Sequence, residues 1–454
     1  MQTRFGRTLV VTACLAALAC SKSEAPPPVI RAPVAPVAPA PAESVKPETG
    51  PIKIGILHSL SGAMASSETS LKDVALMTLD EINANGGLLG RKVEAVVADP
   101  ASDESLFAEK AKELLSEEKV AVVFGCWTSV SRKSVLPVFE ELDGLLFYPV
   151  RYDGEESSWN VFYTGAVPNQ QAIPAVEYLM APENGGAKRF VLLGTDDDYP
   201  RTTHKILQNY LKAQGLAEAD IMKRYTPVGH RDYQAIVADI KRFARGKPTA
   251  VLLTLQGDSN APFYVELDHQ GLKAGGIPIV TFSVGEEELR GMDVTPLVGR
   301  LAAWSYFESI DAPENHAFVE KWMAYVEKNN LPGGDKRVTN DPMEATYTGI
   351  HLWAQAVKQA GTIEVDAVRQ AVGYQAFKSP SGFVEQMDAK NHHLLKPAYI
   401  GEIKADGRFQ IVWSTEETIR AQVWSPFIPD SAKKIADWTY PWVCGGCETA
   451  TFAN

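Results

Sequence analysis

From Ile52 onward the chain alternates short apolar strands with amphipathic helices, and no other feature narrows its fold as far. Residues 52–57, 93–98, 120–124 and 145–150 read as strands. Helices are expected over 106–115 and 131–141, and a further one carries the apolar face Leu71, Val74, Ala75, Thr78 and Ile82. Thr69 or Ser70 is expected to cap that helix, and Asn85-Gly86-Gly87 to end it. The run Val120-Ala121-Val122-Val123-Phe124 is apolar throughout, as a parallel strand covered on both faces must be. The alternation restarts after Pro168, with strands at 189–193, 221–225, 251–255 and 279–282 and helices at 172–179, 203–214, 233–244 and 262–269. Beyond Leu301 the order changes to an aromatic strand at 303–307, helices at 313–328 and 345–360, and strands at 397–403 and 409–413 around the turn Ala405-Asp406-Gly407. Two such runs imply an α/β protein with two mostly parallel sheets, each flanked by helices. A ligand would then bind where strand C-termini of both sheets face a cleft.

The ends of the chain carry different information. Arg4 and Arg7 precede an apolar stretch, 8–19, that stops at Cys20, the pattern of an export signal, and the cysteine resembles the acylated residue of a bacterial lipoprotein. Residues 21–50 are rich in Pro and Ala and read as an extended spacer; a disordered leader without a spacing role is the alternative. Both readings put the body outside the cytoplasm, on the cell envelope. Residues 431–454 form a tail with Cys444-Gly445-Gly446-Cys447, which reads as a small local disulfide between Cys444 and Cys447. A surplus of 56 acidic over 44 basic residues, net −12, argues against nucleic acid as a partner.

Motifs of catalysis and cofactor binding are missing. The sequence has no GxGxxG, Walker, HExxH or GxSxG string and no paired CxxC zinc pattern, so neither an enzyme nor a cofactor or metal is expected. His392 and His393, being adjacent, read as solvated. Arg132 and Lys133 read as surface ion-pairing residues, and the run Glu286-Glu287-Glu288 as mostly solvated first-turn acids.

Several strings are unusual: Phe124-Gly125-Cys126-Trp127-Thr128-Ser129, Gly144-Leu145-Leu146-Phe147-Tyr148-Pro149-Val150, Tyr152-Asp153-Gly154-Glu155-Glu156-Ser157, Gly165-Ala166-Val167-Pro168-Asn169-Gln170-Gln171, Phe282-Ser283-Val284-Gly285-Glu286 and Thr339-Asn340-Asp341-Pro342-Met343-Glu344. With these, residues 52–430 resemble the substrate-binding proteins of urea ABC transporters, whose relatives are amide sensors and, more distantly, branched-chain amino-acid receptors. The resemblance implies a two-lobed type I periplasmic-binding-protein fold with three crossovers, near Pro168, Tyr306 and Glu402. Residues 51–168 and 306–402 would form one lobe, and 169–305 and 403–430 the other. It also implies a site at Trp127, Ser129, Tyr148 and Val150 on the first lobe, closed over by Asp197, Tyr199, Ser283 and Glu286 on the second.

Urea is planar and neutral, with four N–H donors and one carbonyl acceptor, so its site needs fixed acceptors, a donor or two and flat walls. Trp127 and Tyr148 suit walls, with interlobe packing as their alternative role. The Ser129 hydroxyl suits the carbonyl, or a helix cap; the Val150 carbonyl and a second-lobe carboxylate suit the N–H groups. One departure stands out. The family has a tyrosine where this chain has Asp197; either Tyr199 takes over the role, or a wall has become an acid that favours N–H donors or a guanidino compound. The function implied is an extracytoplasmic receptor that captures urea and passes it to an ABC permease by hinge closure. A receptor or sensor for another small amide or guanidino compound is the alternative, and an exported amide hydrolase a more remote one.

Overall fold

The computed structural model describes residues 50–429, together with Ser431 and the strand pairs 438–439 and 443–444. The export signal, Cys20, the spacer and Cys447 lie outside the described residues; Cys444 ends a two-residue strand, Val443–Cys444. Among the described residues no helix is long and apolar enough to cross a membrane.

The first sheet is fully parallel. Its strands are β1 (Ile52–Leu57), β2 (Val93–Ala98), β3 (Val123–Gly125), β4 (Leu146–Tyr148) and β5 (Val161–Tyr163), in the order β2-β1-β3-β4-β5. The helices between them are α1 (Ala65–Ala84), α2 (Glu104–Ser116) and α3 (Ser129–Glu141). α1 begins at Ala65 rather than at a Thr69 or Ser70 cap. Thr69 instead returns its hydroxyl to the Ala65 carbonyl at 2.7 Å, a bond open to a threonine inside a helix. Three-residue β5 leaves too short a pattern to be read from sequence.

The chain enters a second layer with α4 (Ala172–Met180). The sheet there runs β14-β13-β10-β9-β8-β6-β7, from β6 (Arg189–Thr195), β7 (Ile221–Thr226), β8 (Thr249–Thr254), β9 (Ile279–Thr281) and β10 (Leu301–Trp304), which are parallel, to β13 (Tyr399–Ile403) and β14 (Phe409–Ser414), which are antiparallel. Its helices include α5 (Asp198–Ala213), α6 (Gln234–Phe243), α7 (Asn260–His269) and the short α8 (Glu286–Arg290). Every residue of β8 is buried, as a central parallel strand requires.

After β10 the chain returns to the first sheet as α9 (Pro313–Lys328), α10 (Asp341–Ala360) and α11 (Val365–Val372), followed by the hairpin of β11 (Ala376–Lys378) and β12 (Val384–Gln386). α10 places Ile350, Trp353 and Val357 in one core with Ile52, Ile54 and Phe147. Asn340 caps it by accepting from the Met343 N–H at 3.1 Å, with Pro342 in its first turn. The last passage lies ahead of Tyr399, not near Glu402: β13 pairs antiparallel with β10, so residues 399–402 belong with the second sheet. The fold is the expected two-lobed one, with each sheet flanked by helices.

Candidate ligand-binding cleft

The cleft is built at the C-terminal ends of the strands. β3 ends at Gly125, where a Cβ would stand 2.4 Å from the Leu57 carbonyl oxygen, so only glycine lets β3 close onto β1. Cys126 follows at φ +68°, a left-handed turn costly for a non-glycine residue, and Trp127 comes next. Thr128 then caps α3 through the Ser131 N–H at 2.9 Å, so the cap lies one residue before Ser129.

Behind Trp127 lies a buried charge. Arg132 is fully buried and donates to both oxygens of Glu156, at 2.8 and 3.1 Å, with its guanidinium 4.6 Å from the Tyr148 ring centre and 4.3 Å from that of Tyr152. Burial by itself would raise the Glu156 pKa, yet the Arg132 charge and hydrogen bonds hold it below the usual carboxylate range. The Tyr148 hydroxyl donates to the Trp127 carbonyl at 2.6 Å. Tyr148 therefore braces Trp127, and its hydroxyl is committed to the protein. His392 and His393 join this structure from the far end of the chain and are buried, not solvated. Their rings stack on Phe162 at 4.4 Å and Tyr163 at 4.2 Å, and burial lowers their pKa values to about 4 and about 3.

Two further expectations for this wall change. The Ser129 hydroxyl spends its single proton on Asp153 Oδ1 at 2.7 Å, so it is left to accept and not to donate. The Val150 carbonyl lies against Gly165, where a Cβ would come within 2.0 Å of it, so it faces that strand-end segment. Arg151, next in the chain, reaches across to the second sheet. Its Nε donates to the Phe282 carbonyl at 2.8 Å, and its guanidinium lies 4.6 Å from the Tyr199 ring centre and 5.5 Å from that of Trp304.

On the second wall, Asp197 Oδ2 accepts from Thr195 Oγ1 at 2.6 Å and Gln256 Nε2 at 2.8 Å; burial raises its pKa against those bonds. Tyr199 is buried beneath Arg151, and burial raises its pKa. Ser283 donates to the Leu255 carbonyl at 2.5 Å. The acids that follow are not a solvated run. Glu286 is buried and accepts from the Glu308 N–H at 2.8 Å, beside the segment that leaves β10, and burial pushes its pKa well up. Glu287 is buried and accepts from Ser70 at 3.3 Å and from Arg290. Glu288 accepts from the Gly285 N–H at 3.0 Å, capping its own helix, and borders the cleft.

There it lines an enclosed cavity of about 10 Å³ with Trp127, Gly285, Trp304, Asn340, Asp341 and Pro342. Such a space holds roughly one water. Beyond Glu288 a groove of about 890 Å³ opens, bordered by Ser66, Arg231, Pro262, Glu287 and Arg290. The Trp304 indole N–H donates to the Val284 carbonyl at 3.0 Å, which fixes its ring, and Trp304 lines the same cavity as Trp127. Asp341, 2% exposed, accepts from the Ser305 N–H at 2.9 Å through Oδ2, while its buried Oδ1 has no partner among the described residues. Its pKa is pushed up to about 6, by burial first; the Lys396 charge opposes that and Glu344 adds to it. Lys396 is itself buried, 3.0 Å from Glu344 Oε2 and 3.3 Å from Glu385 Oε2.

The structure thus brings Trp127, Ser129, Asp197 and Tyr199 to one interlobe region. It adds Arg151, Asp153, Glu288, Trp304, Asn340 and Asp341, which the sequence reading did not assign to the site. Asp153 and Asp341 stood within quoted strings, but as bare acids nothing in their spacing set them apart. Among the described residues no three His, Cys, Asp or Glu side chains gather as a metal site.

Comparison with known proteins places this architecture. Residues 52–430 match the family model described as periplasmic binding protein domain. A Leu/Ile/Val-binding protein homolog 7 from Brucella melitensis biotype 1 is 25% identical over 393 residues, 81% of this chain and 92% of that protein. A shorter stretch of 153 residues is 33% identical to a protein of Geobacillus stearothermophilus named limonene hydroxylase; that match spans 34% of this chain and only 26% of the relative's length. The crystal structure of the branched-chain amino acid transporter substrate-binding protein LivJ from Streptococcus pneumoniae, in complex with isoleucine, superposes with a TM-score of 0.67 at 21% identity, covering 82% of this chain and all of that one. The chain belongs to the periplasmic binding protein family and is an extracytoplasmic solute-binding protein.

Proposed function

We propose that the solute is a small, planar, N–H-rich molecule, and that urea is that solute. The observation that carries this reading is Asp341 Oδ1, buried without a donor among the described residues, beside a narrow gap lined by Trp127, Trp304 and Glu288 that holds roughly one water as it stands and widens to admit urea. An unpaired buried acceptor costs about 1–3 kcal/mol, which a ligand N–H bond would offset. Indole side chains suit a flat ligand, and the gap has to widen less for urea than for the isobutyl group of leucine. The ligand would touch both walls, so it binds the closed state better and shifts the population toward it. The closed receptor then delivers urea to its permease, tethered to the envelope through a lipid on Cys20 and the spacer after it.

A second reading has its own support. Asp153, Asp197, Glu288 and Asp341 outnumber Arg151 around the cleft, a balance that also suits guanidinium. Titration calorimetry with urea, acetamide, guanidinium and leucine separates the readings. Heat from urea alone supports the first, and a tighter guanidinium complex replaces it with the second. Binding of leucine alone would sink both.

A further inference from the structure

Past β14 the chain leaves the second sheet and returns to the first lobe before it ends. In residues 420–426, Ala421, Val423 and Ser425 are buried while Arg420, Gln422 and Pro426 are exposed, the alternation of a segment packed down on one face. This strap first pairs with Lys396: the Ile419 N–H donates to the Lys396 carbonyl at 2.8 Å, and the Lys396 N–H to the Ile419 carbonyl at 3.2 Å. The Asn169 amide then clips it, donating to the Arg420 carbonyl at 2.9 Å and accepting from the Gln422 N–H at 2.8 Å. Arg420 Nε donates to Asp388 Oδ2 at 2.5 Å. Next the strap reaches the loop 151–156. The Glu155 N–H donates to the Val423 carbonyl at 2.7 Å, and the Ser425 N–H to Glu155 Oε1 at 2.7 Å. It then crosses to the second layer, where the Phe427 carbonyl accepts from Asn209 on α5 at 2.8 Å and Ile428 joins the core of Phe190 and Leu192.

Ser425 and Phe427 are two residues apart, a reach of about 7 Å at most. While these bonds hold, the grip on Glu155 and the grip on α5 stay within about that distance, however the walls part elsewhere. The loop so held carries Arg151, which donates to the Phe282 carbonyl of the second wall, and Asp153, which holds Ser129. Gly154 and Glu155 both lie in the left-handed region, at φ +69° and +57°, and a Cβ on Gly154 would stand 3.1 Å from the Val423 carbonyl oxygen. That region is costly for a glutamate, so the shape of the loop is set by what packs on it. We propose that residues 419–428 are a strap that fixes loop 151–156 against the second layer, so that Arg151 and Asp153 are already placed for the ligand while the cleft is open. Groups placed in advance need not be ordered on binding, so the strap raises affinity for any solute the cleft takes.

The test uses the full chain with Asn169→Ala and Arg420→Ala together, which removes two side-chain clips on the strap and leaves every residue of loop 151–156 in place. Asn169→Ala alone is the milder second variant. Amide hydrogen exchange of the ligand-free protein is expected to quicken about tenfold over residues 150–157 and to stay as in the wild type over β8. Calorimetry is expected to show a dissociation constant raised about tenfold in the double variant, because Arg151 and Asp153 must then be ordered on binding. The probe is whichever of urea, guanidinium, acetamide and leucine the wild type binds. Failure of urea alone therefore removes the solute assignment and leaves the test of the strap intact. Wild-type exchange over 150–157 in both variants overturns the strap. So does quickened exchange there with an unchanged dissociation constant, and so does exchange that quickens equally over β8, which would make the segment a general stabiliser of the fold.

Discussion

The two walls of the cleft are built differently. On the first-sheet side the groups that follow β3 and β4 are held from behind: Trp127 by the Tyr148 hydroxyl, Tyr148 by the Arg132 guanidinium, Arg132 by Glu156, and Ser129 by Asp153. On the second-sheet side Asp197 is held by two neighbours on strand ends, Thr195 and Gln256, and Tyr199 is buried under the Arg151 guanidinium. The contrast teaches a division of labour. One wall is fixed by a buried charge network, and the other by hydrogen bonds between neighbouring strand ends.

The largest effect should come from undoing the fixed wall. Glu156→Ala leaves the fully buried Arg132 charge without its carboxylate and is expected to cost about 3–5 kcal/mol, read by denaturant unfolding. Asp197→Asn, on the looser wall, should stay within about 1 kcal/mol. Equal costs would erase the contrast. Next in size, Trp127→Ala removes a cavity wall and should raise the urea dissociation constant about thirtyfold or more, as truncation of a central aromatic anchor does.

A smaller effect follows from Asp341. Its carboxyl sits at about 6, above the ordinary 3.8, so it holds a proton in the folded state over a range where the unfolded chain has lost it. Its contribution to ligand-free stability is therefore present at low pH and is lost as pH rises from about 4 through 6. Urea binding should run the other way, because the carboxylate accepts N–H bonds; the dissociation constant should rise about tenfold between pH 7 and pH 5. Asp341→Asn should flatten that profile in calorimetry across the same range. Smallest of all, Asp197→Asn should change urea affinity only a few-fold, because Thr195 and Gln256 already occupy the oxygen it shares with them. A larger loss than that of Trp127→Ala would make the second wall the primary recognition surface.

Much of the architecture was legible in the chain. Apolar runs of strand length, helical spacing such as Leu71, Val74, Ala75, Thr78 and Ile82, and the glycine stop after α1 are local signals, and they located most elements within a few residues. Trp127, Ser129 and Asp197, singled out in the sequence, follow strand ends β3 and β6. The sequence reading left out Trp304 at a strand end and Asp341 at the start of α10, which line one small cavity with Trp127 and arrive from passages far along the chain. The misread residues share one property. Arg132, Lys133, Glu286, His392 and His393 are polar, and polarity predicts exposure unless a partner is at hand.

Those partners are distant in sequence. Glu156 lies 24 residues from Arg132, Asp198 lies 65 from Lys133, and Tyr152 lies 241 from His393. The sequence by itself determined where strands and helices form and that the chain builds two parallel sheets, because periodicity and caps act over a few residues. Only the tertiary structure decided which charged groups are buried and which acids face the cleft. A buried charge is tolerated only beside its partner, and the fold alone brings the two together.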